Sequence, residues 1–383
     1  MTEPGAPAWL SPLVAMAKVG LATERDEKPS VDVPPGPIPR WREVVATHGL
    51  VPLLAPAASR LGIEQEEALW LAGASNAHAL RSLTGASDTA LVHQALSDAG
   101  VQALALKGSS LAVRTTGRLD GRVYSDIDVL VAADSLDAAG SALRTAGWAP
   151  VGPSSTPLEG RYPRWARITA HHLVYDHPER MTVELHWQPA HFGALMIPFE
   201  QLWRERIAVG LGGTTVWALG DVHELLQVST HAAIHRFMRL GWVVDIARLV
   251  RGFRGGQWHE AVAAATAAGV LRPLAMGVAM AAAFEDHDAA VPLSPRDRRV
   301  VDRLVAGAWS AMSERGSAIG GPKRWGRLAS RLALRPDLRY KACALAEAAA
   351  SLELVESTDM PAGLAFVAAA FKRLLSPAGA AHG

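Results

Sequence analysis

Residues 121–135 read GRVYSDIDVLVAADS and set two aspartates, Asp126 and Asp128, one residue apart at the mouth of an otherwise apolar run, Ile127, Val129, Leu130 and Val131. The run predicts a buried β-strand. Side chains two apart on a strand share a face, so both carboxylates project together while Ile127 and Val129 turn the other way, into a core. Burying one unpaired carboxylate is costly, and two like charges aimed into one space cannot both stay ionised cheaply without a cation. A hard divalent ion with oxygen ligands, Mg²⁺ or Mn²⁺, is the natural solution. The alternative is a solvated strand end, in which one aspartate caps a turn and the other pairs with Arg122. D-x-D alone does not choose between them.

Upstream, VQALALK (101–107) is a short apolar run that predicts a second strand, and GSSLAVRTT follows with Gly108 and Ser109 at a helix start. Such a start offers free backbone N–H groups and a positive dipole end to a phosphate. Glycine lets the phosphate approach closely, and Ser109 can donate a hydroxyl hydrogen bond. An ordinary strand-to-helix turn with a serine cap reads the same way. Downstream, TVELHWQP puts Glu184 and His186 on one strand face and Val183, Leu185 and Trp187 on the other. Glu184 becomes a third carboxylate if its strand lies beside that of the aspartates. His186 then contacts phosphate or closes the pocket wall; on an edge strand it simply faces water.

Strand, Gly-Ser, helix, then D-x-D on a strand, then a lone acid on a later strand resembles the nucleotidyltransferases of the DNA polymerase β superfamily. More narrowly, ALKGSSLAVRT, GRVYSDIDVLV, VELHWQP and LLQVSTHAAIHRFMRLGWVVDIARLV, in that order within about residues 40–290, resemble the mostly uncharacterised bacterial nucleotidyltransferase family proteins. GVLRPLAMGVAMAAAF is similar to that family's helical tail. The resemblance implies that Asp126 and Asp128 are the metal-binding pair, that Glu184 is the third carboxylate, and that Gly108 and Ser109 form the phosphate-holding turn. It places Lys107 and Arg122 where this family also carries basic residues. The interval from Ser109 to Asp126 is longer than the superfamily's usual one. The implied reaction is two-metal phosphoryl transfer with Mg²⁺ or Mn²⁺: an NTP such as ATP gives its nucleoside monophosphate to an acceptor hydroxyl, and pyrophosphate leaves. The acceptor would be a small molecule, a peptide or a protein. Occurrence of such proteins in peptide natural-product pathways points to a peptide.

The chain has 383 residues, 49% of them apolar, enough for a substantial core and more than one structural unit. A formal net charge of +1 gives no global electrostatic case for nucleic acid or an acidic membrane as partner. The single cysteine, Cys343, excludes an internal disulfide framework and fits a reducing compartment. The opening MTEPGAPAWLSPLVAMAKVG lacks the basic start of a signal peptide, and residues 261–284, broken at Arg272–Pro273, suit two buried helices better than a membrane span. The expectation is a cytoplasmic α+β protein. Residues 1–40 read as an irregular N-terminal segment and 41–100 as helices. A small mixed-sheet nucleotidyltransferase core spans 101–219, a helical domain 220–375 and a frayed tail 376–383, with 150–170 as an insert.

Two further patterns stand out. His231 and His235 lie i, i+4 on one helix face with Asp245 on the next helix, a spacing that can bind zinc, although H-E-x-x-H is absent. Helix packing, or a wall beside nucleotide or acceptor, is the plainer reading. Arg324, Arg327, Arg331 and Arg335 fall at three- and four-residue steps, with Lys323, Arg339 and Lys341 nearby. That is a solvated helix face or a docking strip for RNA or an acidic partner. Besides the enzyme, a catalytically silent nucleotide- or partner-binding module of the same fold and an RNA-binding or RNA-modifying protein remain as alternatives.

Overall fold

The apolar run behind the aspartates forms a central strand. The computed structural model describes residues 10–27, 40–151, 171–190, 193–285, 287–315 and 324–349. Seven strands, β1 (Ala103–Leu106), β2 (Asp126–Val131), β3 (Ala149–Pro150), β4 (His172–His177), β5 (Arg180–His186), β6 (Ile207–Leu211) and β7 (Thr214–Ala218), build one sheet in the order β3-β4-β5-β2-β1-β7-β6. The sheet is mixed. β2 runs parallel to β5 and antiparallel to β1, while β4 and β5 form an antiparallel hairpin. The β6–β7 hairpin turns on Gly212 and Gly213, both at positive φ, which is where two-residue hairpin loops need glycine.

Helices α1 (Leu10–Glu24), α2 (Trp41–Thr47), α3 (Val51–Leu54) and α4 (Gln65–Asp98) precede the sheet. Within it lie α5 (Gly108–Thr116), α6 (Leu136–Thr145) and α7 (Phe199–Arg204). After it come α8 (Asp221–Ile234), α9 (Leu240–Gly252), α10 (Gln257–Ala267), α11 (Leu271–Ala281), α12 (Pro295–Arg315), α13 (Arg324–Leu334) and α14 (Leu338–Ala349). The fold is therefore α+β. Residues 261–284 do divide into two helices, α10 and α11, and no described helix is long and apolar enough to cross a membrane.

One expectation is corrected. Residues 10–24, placed in an irregular segment, form α1. Leu10, Leu13, Ala17 and Leu21 recur at helical spacing and are buried in the same cluster as Leu53 and Leu54 of α3. Pro12 sits in the first turn, where its missing N–H costs nothing. The segments 28–39, 152–170 and 350–383, with the anticipated connector, insert and tail, lie outside the described residues.

The two faces of the sheet carry different loads. Ile127, Val129, Val183, Leu185 and Trp187 pack with Val92 and Leu96 of α4, Leu136 and Leu143 of α6, and Trp148. Helix α4 ends at Gly100, which takes φ +71° and closes the helix with hydrogen bonds from Gly100 N to Ser97 O and from Val101 N to Leu96 O. Midway along α4, the buried Asp88 carboxylate accepts hydrogen bonds from Arg180 Nη1 (2.7 Å) and the Met181 backbone N–H (3.0 Å). This contact ties α4 to the start of β5. Asp88→Ala leaves the Met181 N–H without its acceptor while the exposed Arg180 turns to water; the expected cost is about 2 kcal/mol, read as a lower urea midpoint with an unchanged slope, and Asp88→Asn should lose less.

Candidate active site

Strand pairing brings the predicted acids together. In the β2–β5 ladder Asp126 lies opposite Thr182, Asp128 opposite Glu184 and Leu130 opposite His186. Residues opposite one another share a face, so Asp126, Asp128, Glu184 and His186 all project away from the Trp148 core. One strand further out, His172 of β4 lies opposite His186 and joins the same face. His171 completes this row: its ring centroid is 4.3 Å from that of His172 and 5.3 Å from that of His186.

The strands also fix the distances. His186 Nε2 donates to Asp128 Oδ1 at 3.0 Å and lies 3.3 Å from Glu184 Oε2. Lys107 Nζ sits 3.3 Å from Asp128 Oδ2. Asp128 and His186 are buried, whereas Asp126 and Glu184 are half-buried. Burial alone would raise the Asp128 carboxyl, but the Lys107 ammonium and the His186 hydrogen bond hold it well below the usual carboxylate range. Asp126 goes the other way, raised by burial and by the neighbouring Asp128 charge. The Asp126 carboxylate makes no hydrogen bond or ion pair among the described residues. Burial likewise opposes the Glu184 anion, yet its hydrogen bond with His186 keeps the net shift downward. Burial disfavours charge on His186, but hydrogen bonds to Asp128 and Glu184 outweigh it and raise its pKa. His172 is pushed down to about 4 by burial and by His186.

The turn from β1 into α5 stands against this group. Lys107 and Gly108 both take positive φ, 54° and 52°. A lysine pays strain there of about 1–3 kcal/mol, and its neighbours hold it in place. The Lys107 N–H donates to Glu224 Oε1 at 3.1 Å, while its carbonyl accepts from Ser110 Oγ at 2.7 Å and from the Leu111 N–H at 3.1 Å. Nothing lies within 4 Å of where a side chain at Gly108 would begin, so the backbone there faces open space. Glu224 is fully buried; burial raises its pKa, and Arg114 Nη1 at 3.0 Å opposes the rise.

Other predicted residues go elsewhere. Arg122 makes no ion pair with the aspartates: its Nε meets Asp245 Oδ2 at 3.1 Å and its Nη1 donates to the Gly108 carbonyl at 3.4 Å. Asp245 is buried against Arg122 and so braces the turn from beneath. Ser109 is buried, with its hydroxyl on Thr89 Oγ1 at 3.2 Å. The rings of His231 and His235 lie 4.7 Å apart, tilted by 47°, beside Trp242. Among the described residues, the metal-capable groups of three are Asp128–Glu184–His186 and His171–His172–His186; His231, His235 and Asp245 do not form one. Arg335 leaves the expected solvated stripe: it donates to the carbonyls of Gly193 and Ala194 and pairs with Asp337. A cavity of about 820 Å³ lined by Arg25, Arg114, Arg251 and Glu285 contains none of the acids of the strand face.

Sequence reasoning passed over His171, His172, Glu224 and Arg114. The HH pair opening β4 was visible, but only β4–β5 pairing shows where it goes. Glu224 lies in the first turn of α8, where an acid is common, and no local pattern shows that it turns toward Lys107 and Arg114.

Residues 38–285, well over half of the 383, match a family described as uncharacterised nucleotidyltransferases, and the chain belongs to that family. Among solved structures, an antigenic nucleotidyltransferase-like protein from Paracoccidioides brasiliensis matches with 14% identity over 55% of this chain and 95% of that one, at a TM-score of 0.31. No curated protein matches the chain significantly.

The His186 geometry gives a pH signature. In metal-free protein its imidazole should titrate above the ordinary histidine value, and Asp128→Asn should lower that pKa, as read from the ring-proton NMR shift. Since the folded pKa exceeds the unfolded one, this contact stabilises fully below about pH 6.5, and its contribution fades as pH rises through the folded value.

Proposed function

We propose that this chain is a metal-dependent nucleotidyltransferase that moves a nucleoside monophosphate from an NTP to an acceptor hydroxyl and releases pyrophosphate. One observation carries the reading: Asp126, Asp128 and Glu184, from separated segments, share one sheet face, and Asp126 is left there without a cationic partner among the described residues. That carboxylate without a direct ion pair, with an O,O,N donor set at Asp128, Glu184 and His186, fits a divalent ion. Asp126, Asp128 and Glu184 would hold it. When bound, such an ion polarises the α-phosphate and makes the acceptor hydroxyl more acidic. Family membership supports an NTP as substrate.

The chain's own groups supply the remainder. The open backbone at Gly108, at the start of α5, is the place for the phosphate tail. Lys107 sits where its ammonium can neutralise charge on the leaving pyrophosphate. Glu184 is placed to accept the proton of the attacking hydroxyl. The hydroxyl oxygen would form a bond to the α-phosphorus as the bond from that phosphorus to the bridging oxygen of the β-phosphate breaks and pyrophosphate leaves. Acceptor and base are set by surfaces beyond these residues; a peptide or small molecule is the expected class of acceptor.

A second reading has one observation in its favour. Both oxygens of Asp128 already meet cations of the protein, Lys107 and His186, as they would in a fold retained for binding alone. Incubation with Mg²⁺ or Mn²⁺ and each α-labelled NTP in a cell extract separates the two. The enzyme should label an acceptor and release pyrophosphate, and Asp128→Asn should cut the rate by at least about 100-fold. Nucleotide binding without pyrophosphate release, under every NTP and metal tried, would establish the silent module instead.

A further inference from the structure

The acid face continues into a row of imidazoles, of which the proposed transfer uses His186 and leaves His171 and His172 without a role. Ligand-capable atoms of His171, His172 and His186 all lie within 4.8 Å of one another. His171 Nε2 and His172 Nδ1 are 2.9 Å apart, and the ring centroids of His172 and His186 are 5.0 Å apart. His171 and His186 are buried, 5% and 4% exposed, and His172 is half-buried. His186 Nδ1 is buried with no hydrogen-bond partner among the described residues. Glu184 Oε2 stands at the junction, 3.3 Å from His186 Nε2 and 3.9 Å from His172 Nδ1.

These spacings suit coordination. Nitrogen ligands at 2.0–2.1 Å around a tetrahedral ion lie about 3.4 Å from one another, so small side-chain movements would close the set. Imidazole nitrogen is a poor ligand for Mg²⁺, which prefers oxygen and retains its waters, and a good one for zinc-like ions. We propose that His171, His172 and His186 form a nitrogen-rich site for one first-row transition ion of the Zn²⁺ or Co²⁺ type, beside the oxygen ligands and sharing Glu184 as their common edge. The site goes beyond nucleotidyl transfer and does not require it. Three imidazoles held only as a hydrogen-bonded wall would show no preference for such an ion.

Cobalt tests this directly, because nitrogen ligation gives it visible ligand-field bands. The full chain, stripped with a chelator and kept in excess Mg²⁺, should bind one equivalent of Co²⁺ with those bands. His172→Gln and His171→Asn should each weaken binding at least about tenfold, whereas Asp126→Asn should leave it in place. His172 is half-buried, so His172→Gln should keep the fold, and thermal melts followed by circular dichroism check both histidine variants. X-ray absorption of the Zn²⁺-loaded wild type needs no variant: imidazole ligands support the site, and an oxygen-only shell overturns it. Displacement of Co²⁺ by Mg²⁺, or binding unchanged in both histidine variants, also overturns it. None of these readouts uses nucleotide. Failure of NTP transfer with Co²⁺ binding intact would remove the transferase reading alone, and the reverse result would remove only the imidazole site.

Discussion

The parallel register of β2 against β5 is the constraint on which the rest depends. Asp128 faces Glu184 because Val129 faces Leu185 and Ile127 faces Val183. Those four apolar side chains are buried to 3% or less against α4, α6 and Trp148. A slip of one residue would turn Glu184 into that core and set Val183 or Leu185 beside the aspartates. Hydrophobic packing on one face thus fixes the chemistry on the other. Asp88 adds a polar latch at the entrance to β5, joined to Arg180 and to the Met181 N–H.

The concentrated negative charge is held by cations arriving from several depths, and these bind the helices after residue 220 to the sheet. Glu224 of α8 takes the Lys107 N–H and pairs with Arg114 of α5. Asp245 of α9 takes Arg122, which reaches the Gly108 carbonyl. Next to Asp245, Arg248 donates to the Gly121 carbonyl and pairs with Glu24 at the end of α1. The Lys107–Gly108 turn is therefore braced from two sides, the amide by one helix and the carbonyl through another. That is why a lysine can persist at a φ that favours glycine. Removing one member of such a buried network leaves the others uncompensated, so the C-terminal helices are part of the site's support.

What the sequence made legible followed from short-range geometry. The two-residue period of strands put Asp126 with Asp128, and Glu184 with His186, on common faces, as the structure has them. The Gly-Ser helix start was also legible, because the turn needs φ values that few residues tolerate. Contacts between distant segments were not. Asp128 and His186 are separated by 58 positions and Arg122 and Asp245 by 123, and no local pattern says that they meet. The pairing of Arg122 with Asp245, which α6, α7 and α8 separate in the chain, was therefore not visible. Helix α1 stayed hidden because apolar residues occupy nearly all its sides and leave little polar contrast. Arg335 belonged to an apparent solvated stripe, yet it turns to backbone carbonyls that periodicity cannot see.

The acids are alike in sequence and unlike in surroundings. Asp128 is deepest and has protein cations on both oxygens; Glu184 shares the imidazole; Asp126, at the strand's open end, has neither. Opposite shifts at Asp126 and Asp128 follow directly, since the charge that Lys107 and His186 stabilise on Asp128 is the charge that disfavours ionising Asp126. A cation entering between them gains most from Asp126, which Lys107 and Arg122 influence only at a distance and which no cation of the described residues pairs directly. Lys107 cannot take that place, because its ammonium is committed to the far oxygen of Asp128 and its backbone is pinned by Glu224. The asymmetry comes from position along β2: Asp128 meets Lys107 and His186, and Asp126, two residues nearer the strand's start, has no ion pair among the described residues.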